Sequence, residues 1–215
     1  MSRPLLLGHR GARSTKSIPE NTLASFDLAL EHGCDGFEFD VRCTRDGRAV
    51  LCHDPEFGGI EIAQAGTGQL PDLPLLEQVL IRYQKAAFLD IELKVYGLEA
   101  QVLTGLRKRP PLKGYVVSSF LPEVLLTLHE YDPDVPLGLI CETTPQLRKW
   151  PELPVQFVLP HHTLINIDLS RQLQAASRKL CAWTVNLRER MLELQRMGVD
   201  GIISDRTDLL GKLRD

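Results

Sequence analysis

Short apolar runs recur along the chain at residues 5–7, 36–41, 49–53, 88–93, 115–119, 137–141, 155–159, 180–185 and 201–204. Between most of them the apolar period changes: Leu23, Phe26 and Leu30 after Thr22, then Leu75, Val79 and Leu80, then Leu121, Val124 and Leu128, then Leu192 and Met197, follow helical spacing. Runs this short, bounded by helical segments, read as strands. Repeated strand–helix alternation predicts a parallel sheet, either open and doubly wound or closed into a barrel. Neither a Gly-x-Gly-x-x-Gly nor a Gly-x-x-x-x-Gly-Lys-Ser/Thr loop is present, so the open nucleotide-binding versions lose their main signature. The pattern therefore predicts an α/β fold, a compact TIM (β/α)8 barrel spanning residues 1–215 as a single domain.

Two features depart from plain alternation. Thr44-Arg45-Asp46-Gly47 separates two strand patterns as a hairpin turn, with positive φ expected at Asp46 and Gly47. The strand at 49–53 then returns beside the second barrel strand and ends at His53. Residues 55–74, rich in Gly, Pro and polar side chains, read as a loop at the functional face.

A strand period of two puts Glu38 and Asp40 on one face and Phe37, Phe39 and Val41 on the other. The same rule gives Leu89, Ile91, Leu93 and Val95 one face and Asp90, Glu92 and Lys94 the opposite one. Carboxylates about 4 Å apart repel by roughly 4 kcal/mol per pair at an effective dielectric of ~20. They require protonation or a cation. Carboxylate-only ligation with room for water suits Mg²⁺ or Ca²⁺ better than zinc, which makes Glu38, Asp40 and Glu92 candidate ligands. A half-exposed antiparallel sheet with a wet polar face explains a lone Glu-x-Asp. It does not explain acids at matched positions of two strands beside histidines that end two more.

His9 and His53 are the candidate acid and base, because a pair of imidazoles holds one neutral and one charged ring near neutral pH. Either ring as a zinc ligand is the competing reading. Arg10 and Lys94 are candidate phosphate cations, Arg10 through its fork and Lys94 as a point charge. Trp183 reads as core, or as a wall for a glycerol or alcohol group if it lies near the mouth. The Glu20-Asn21-Thr22 run reads as a helix cap, with Glu20 or Asn21 also able to steady His9. His32 reads as a helix C-terminal partner and His129 as a solvated helix residue, while His161 and His162 lie in a loop.

Size and charge narrow the partners. The 215 residues suffice for one buried core, and 25 basic against 28 acidic side chains give a net charge of −3. No basic field favours a nucleic acid or an anionic bilayer, so any phosphate contact is local. Leu5-Leu6-Leu7 stops at Gly8, too short for a membrane span or a signal segment. Cys34, Cys43, Cys52, Cys141 and Cys181 are scattered, with no Cys-x-x-Cys spacing, and read as buried free thiols of a cytoplasmic protein. The expected partner is a small molecule, with no nucleic acid and no stable membrane insertion, and composition leaves the oligomeric state open.

Taken in order, His9-Arg10-Gly11, Pro19-Glu20-Asn21-Thr22, Gly36-Phe37-Glu38-Phe39-Asp40-Val41, Thr44-x-Asp46-Gly47, His53-Asp54 and Ile91-Glu92-Leu93-Lys94 resemble the glycerophosphodiester phosphodiesterase family. Ser118-Ser119-Phe120, Trp183-Thr184-Val185-Asn186 and the stretch from Gly198 to Asp205 extend the resemblance over nearly the whole chain. It implies a TIM barrel that hydrolyses glycerophosphodiesters to sn-glycerol 3-phosphate and an alcohol with a divalent metal. Carried over by position, the histidines are His9 and His53, the metal carboxylates Glu38, Asp40 and Glu92, and the phosphate cations Arg10 and Lys94. The family commonly has a longer insertion after the second histidine and an Arg-Thr-containing stretch. Here residues 56–69 are short and only Gly66-Thr67-Gly68 is similar to it, so selectivity is what the resemblance transfers least. Two alternatives are a lysophospholipase D acting on lysophospholipids and a catalytically silent phosphate-binding barrel.

Overall fold

The computed structural model describes residues 3–214. In chain order the strands are β1 (Leu5–His9), β2 (Gly36–Cys43), β3 (Ala49–Leu51), β4 (Glu56–Phe57), β5 (Ile60–Glu61), β6 (Phe88–Leu93), β7 (Tyr115–Ser119), β8 (Leu137–Cys141), β9 (Phe157–Pro160), β10 (Lys179–Ala182) and β11 (Gly201–Ser204). The helices are α1 (Leu23–Glu31), α2 (Leu76–Tyr83), α3 (Glu99–Lys108), α4 (Pro122–Tyr131), α5 (Thr144–Leu147), α6 (Ile167–Ala175), α7 (Arg188–Arg196) and α8 (Thr207–Leu210). Eight strands run parallel in the order β1-β11-β10-β9-β8-β7-β6-β2, and pairing of β1 with β2 closes them into a barrel. The expected TIM (β/α)8 architecture is the one observed.

Strand alternation divides the core into two layers. The outward row of β2, Phe37, Phe39 and Val41, is buried under α1 and α2, with Phe26 stacked on Phe37 at 4.1 Å and Tyr83 edge-on to it. Leu89, Ile91 and Leu93 of β6 face the same layer. Inside the barrel, Leu7, Phe88, Val116, Phe157, Leu159, Cys181 and Ile203 form a second cluster. Apolar side chains thus fill the barrel below, and the inward row of β6 turns acidic above Phe88, at Asp90 and Glu92.

The hairpin after β2 differs in detail from expectation. Only Gly47 has positive φ, at 74°, and Gly47 N–H donates to Thr44 O at 2.9 Å, so a type I turn is followed by one left-handed residue. β3 ends at Leu51, two residues before His53, although Cys52 N–H still donates to Asp40 O at 3.2 Å. Residues 55–74 are more ordered than a loop. They hold the β4–β5 hairpin and two 3-10 turns, and bury Ile62, Ala65, Leu70 and Leu73 against Val50 and Cys52. Asp46 secures this segment by accepting from Thr67 N–H at 3.0 Å. The apolar run at 180–185 is strand only to Ala182, and that at 155–159 becomes strand from Phe157.

Candidate active site

The chain leaves β1 through two left-handed residues, Arg10 at φ 50° and Gly11 at φ 81°. A Cβ at Gly11 would lie 2.1 Å from Ser25 Oγ, so sterics and dihedral both demand glycine there. The turn aims Arg10 N–H at Glu38 Oε2, 3.0 Å away, while Ser25 Oγ donates to Arg10 O at 2.8 Å. Asn21 is also left-handed, at φ 56°, and grips Asp40 from both ends: Nδ2 donates to Oδ2 at 2.8 Å and Oδ1 accepts from Asp40 N–H at 3.2 Å. Such backbone costs roughly 1–3 kcal/mol per residue. Both non-glycine cases hold a carboxylate of one cluster.

That cluster is Glu38, Asp40 and Glu92, all buried, with a carboxylate oxygen from each within 4.8 Å of the others. The register that pairs Asp40 with Glu92 and Glu38 with Asp90 brings the acids of two strands together. Glu38 Oε1 has no hydrogen-bond partner. Lys94 Nζ lies 2.6 Å from Glu92 Oε1 and 3.2 Å from Asp40 Oδ1. Arg10 Nη1 donates to Glu20 Oε1 at 2.7 Å, and its Nε lies 3.2 Å from Asp40 Oδ2. The two cations do not neutralise the cluster. Burial, reinforced by Asp40 and Glu92, pushes the Glu38 carboxyl well above its usual range. Burial also lifts Glu92 to about 7 against the pull of Lys94, and Asp90 to about 7 against the Ser118 hydroxyl that donates to it at 2.6 Å. Asp40 stays low because Lys94, Arg10 and Asn21 outweigh its burial.

His9 Nδ1 lies 2.7 Å from Asp205 Oδ1, and its Nε2 lies 3.8 Å from Glu38 Oε2. An Nδ1–H donated to Asp205 leaves Nε2 facing the cavity. Asn186 Nδ2 in turn donates to Asp205 Oδ2 at 2.7 Å, and Asn186 Oδ1 accepts from Asp205 N–H at 3.0 Å. Burial opposes ionisation of Asp205, yet bonds from His9 and Asn186 and the charge of Arg13 bring it down to about 2. His53 reaches the same cavity from the segment after β3. Its carbonyl accepts from Arg42 Nε and Nη2 at 2.8 and 2.6 Å, and its Nδ1 lies 2.7 Å from Asp54 Oδ1. Burial draws its pKa down, partly offset by Asp54.

The cavity measures about 250 Å³. Its lining combines the charged and polar residues His9, Arg10, Glu38, His53, Asp90, Glu92, Lys94 and Glu142 with the apolar Phe120, Ile140, Leu159, Trp183 and Ile203. Trp183 is partly buried and lines the cavity, its Nε1 donating to Leu159 O at 2.7 Å and its ring edge-on to Phe120. Asp40 is buried beside the lining residues Glu38 and Glu92. The structure brings all of the candidate residues named from the sequence to one place.

The Glu20-Asn21-Thr22 run caps α1 as expected, the Thr22 hydroxyl accepting from Ser25 N–H at 3.2 Å. Other expectations need correction. Asn21 serves Asp40, and Glu20 binds Arg10 and Arg13 rather than His9. His129 Nδ1 is shielded from solvent. Cys43 is only half-buried, whereas the other four cysteines are buried. Among the described residues, no histidine joins a metal-type cluster, which removes the support for zinc. Asp205, Asn186 and Arg42 hold the two histidines and carry no periodic signature. Two signals point to Asp205 and Asn186: both lie in the stretches that carry the resemblance, and Asp205 directly follows β11 while Asn186 closely follows β10, at the barrel end where TIM barrels place functional groups.

A profile of the glycerophosphoryl diester phosphodiesterase family matches residues 9–77 and 101–209. A glycerophosphodiester phosphodiesterase of Caldanaerobacter subterraneus subsp. tengcongensis is 27% identical over 238 residues, covering 97% of this chain and 96% of its own. Among solved structures, an Oleispira antarctica phosphodiesterase in complex with the product sn-glycerol-3-phosphate superposes with a TM-score of 0.86 at 24% identity, over 99% of this chain and 97% of that one. A glycerophosphodiester phosphodiesterase from Thermotoga maritima superposes at 0.85 with 24% identity and complete coverage of both chains, 100% each. The chain belongs to the glycerophosphoryl diester phosphodiesterase family and is an enzyme of that kind, a phosphodiester hydrolase.

Proposed function

We propose that this chain hydrolyses glycerophosphodiesters to sn-glycerol 3-phosphate and an alcohol, by metal-assisted catalysis with two histidines. The observation that carries the reading is the meeting of Glu38, Asp40 and Glu92 within 4.8 Å at the floor of a cavity that also presents His9, His53, Arg10 and Lys94. The donor set fits a hard dication, Mg²⁺ or Ca²⁺: three carboxylates with an orphaned Glu38 Oε1 and room for water. A dication held there supplies neutralisation of phosphoryl charge. Arg10 and Lys94 bind phosphoryl oxygens, turning from their carboxylate partners toward the substrate. The neutral member of the His9–His53 pair takes a proton from the nucleophile, which is either water or the glycerol 2-hydroxyl, the latter giving a cyclic phosphate that water then opens to sn-glycerol 3-phosphate. The protonated member gives one to the departing alkoxide. Asp205 and Asn186 hold the His9 ring in the orientation this requires.

The product complex of the Oleispira antarctica protein supports the choice of glycerol 3-phosphate as product. The five free cysteines support a reducing, cytoplasmic setting, and among the described residues no helix is long and apolar enough to cross a membrane. A groove beside the mouth shares His53 and presents Phe57, Leu73 and Pro74, but Glu20, Asp54, Glu56 and Asp72 also line it. That charge disfavours an acyl chain and so the lysophospholipase D alternative. Incubation with a panel of glycerophosphodiesters and one lysophospholipid, with products identified by chromatography, tests the reading. Release of sn-glycerol 3-phosphate from the diesters is expected. Release of free glycerol with a phosphorylated alcohol, or no turnover, would overturn it.

A further inference from the structure

One charged residue lining the cavity stands outside the carboxylate and histidine cluster described above. Glu142 follows the last residue of β8 at the mouth and lines the same cavity as Phe120 and Trp183. Each carboxylate deeper in the cavity has a protein partner on one oxygen: Glu92 from Lys94, Asp90 from Ser118, and Glu38 from the backbone of Arg10. The Glu142 side chain is exposed at the mouth, with no hydrogen-bond or ion-pair partner among the described residues, and its backbone N–H donates to Gln146 Oε1 at 2.9 Å. Beside it the rings of Phe120 and Trp183 meet at 87° with centroids 5.6 Å apart. The indole N–H of Trp183 donates to Leu159 O at 2.7 Å, which orients its ring in this corner. Lys94 Nζ already sits 5.7 Å from the Phe120 centroid, so this corner takes an internal cation in the free enzyme.

An unpaired carboxylate next to fixed aromatic faces suits an alkylammonium group, whose carbon surface packs on the rings and whose charge meets the acid. A neutral polyol finds few hydrogen-bonding groups on that wall, and an anionic alcohol is repelled by Glu142. We propose that Glu142, with Trp183 and Phe120, forms a subsite for a positively charged alcohol, so that alkylammonium diesters are preferred over neutral ones. The proposal rests on the phosphodiesterase reading above and adds the class of alcohol and the residue that selects it.

The test is kcat/KM for sn-glycerol 3-phosphate release from glycerophosphocholine, glycerophosphoethanolamine and glycerophosphoglycerol. It compares the wild type, Glu142→Gln and Glu142→Lys, with circular dichroism to verify the fold. The wild type is expected to favour the two ammonium diesters. Glu142→Gln should lower the choline-to-glycerol ratio about fivefold, mainly through KM, and Glu142→Lys should lower it further. Glu56→Gln, in the neighbouring groove, should leave that ratio as it is. Equal ratios in wild type and Glu142→Gln, with every diester hydrolysed, would overturn the subsite and spare the hydrolase. Failure to cleave any of the three would overturn the hydrolase reading itself, and the subsite with it.

Discussion

His9 and His53 are held by different means, and the difference sets what each substitution should do. On the proposed acid–base role, loss of either imidazole removes a proton-transfer group, so His9→Ala and His53→Ala should each lower turnover by about 10²–10⁴-fold with the far-ultraviolet spectrum unchanged. Near-normal turnover in both variants would remove the acid–base role. Asp205→Asn keeps the shape of the Nδ1 partner but not its charge, so kcat should fall by about 10-fold or more while KM changes little. An unchanged kcat would make the carboxylate merely structural. The same residue predicts an acid limit. Its carboxyl is depressed from 3.8 to about 2 in the fold, so the unfolded chain binds a proton there first. Its stabilising contribution is complete above about pH 4 and is lost as pH falls toward 2, which Asp205→Asn should remove from a stability-against-pH curve measured by denaturant unfolding. At this scale the sequence already showed residues whose type announces chemistry: two histidines, paired acids and two cations. Asn186 and Asp205 stood in the sequence only as members of the resembling stretches and Arg42 not at all, and their hold on the histidines was silent because an Asn, an Asp or an Arg bonded to a neighbour is indistinguishable in sequence from one facing water.

The strands were legible because apolar faces alternate with functional ones, as Phe37, Phe39 and Val41 do with Glu38 and Asp40. Where pattern and structure part, a backbone event explains it. β10 stops at Ala182, and Trp183 then makes only an isolated bridge with His161. The run at 55–74 hides its order, because its small core of Ile62, Ala65, Leu70 and Leu73 follows neither strand nor helix period. Gly36 opens β2 where the strand lies against β6, and a Cβ there would meet Phe88 O at 1.9 Å. Gly36→Ala must therefore push β2 from β6 and disturb the register that sets Asp40 beside Glu92. A loss of about 1–3 kcal/mol or more in urea unfolding is expected, together with reduced activity. Wild-type stability in that variant would show that the close β2–β6 approach is not needed.

Across the molecule, barrel closure concentrates buried acid at one end of an otherwise apolar interior. Glu92 and Asp90 titrate near 7 in the fold against 4.5 and 3.8 in the unfolded chain, so between these values the native state holds the extra protons. In metal-free protein the melting temperature should accordingly fall as pH rises from about 4 to about 7. Mg²⁺ or Ca²⁺ competes for the same oxygens and should raise the melting temperature more at pH above 7 than near 5. Differential scanning calorimetry with and without chelator reads both trends, and an ion effect independent of pH would count against the carboxylate cluster. The central claim, that the acids of β2 and β6 hold a dication required by the chemistry, is tested most directly by sn-glycerol 3-phosphate release from glycerophosphocholine before chelation, after chelation, and after return of Mg²⁺ or Ca²⁺. Turnover should be abolished by the chelator and restored by the ion in the wild type, and not restored in Glu38→Gln; release that continues undiminished through chelation would contradict it.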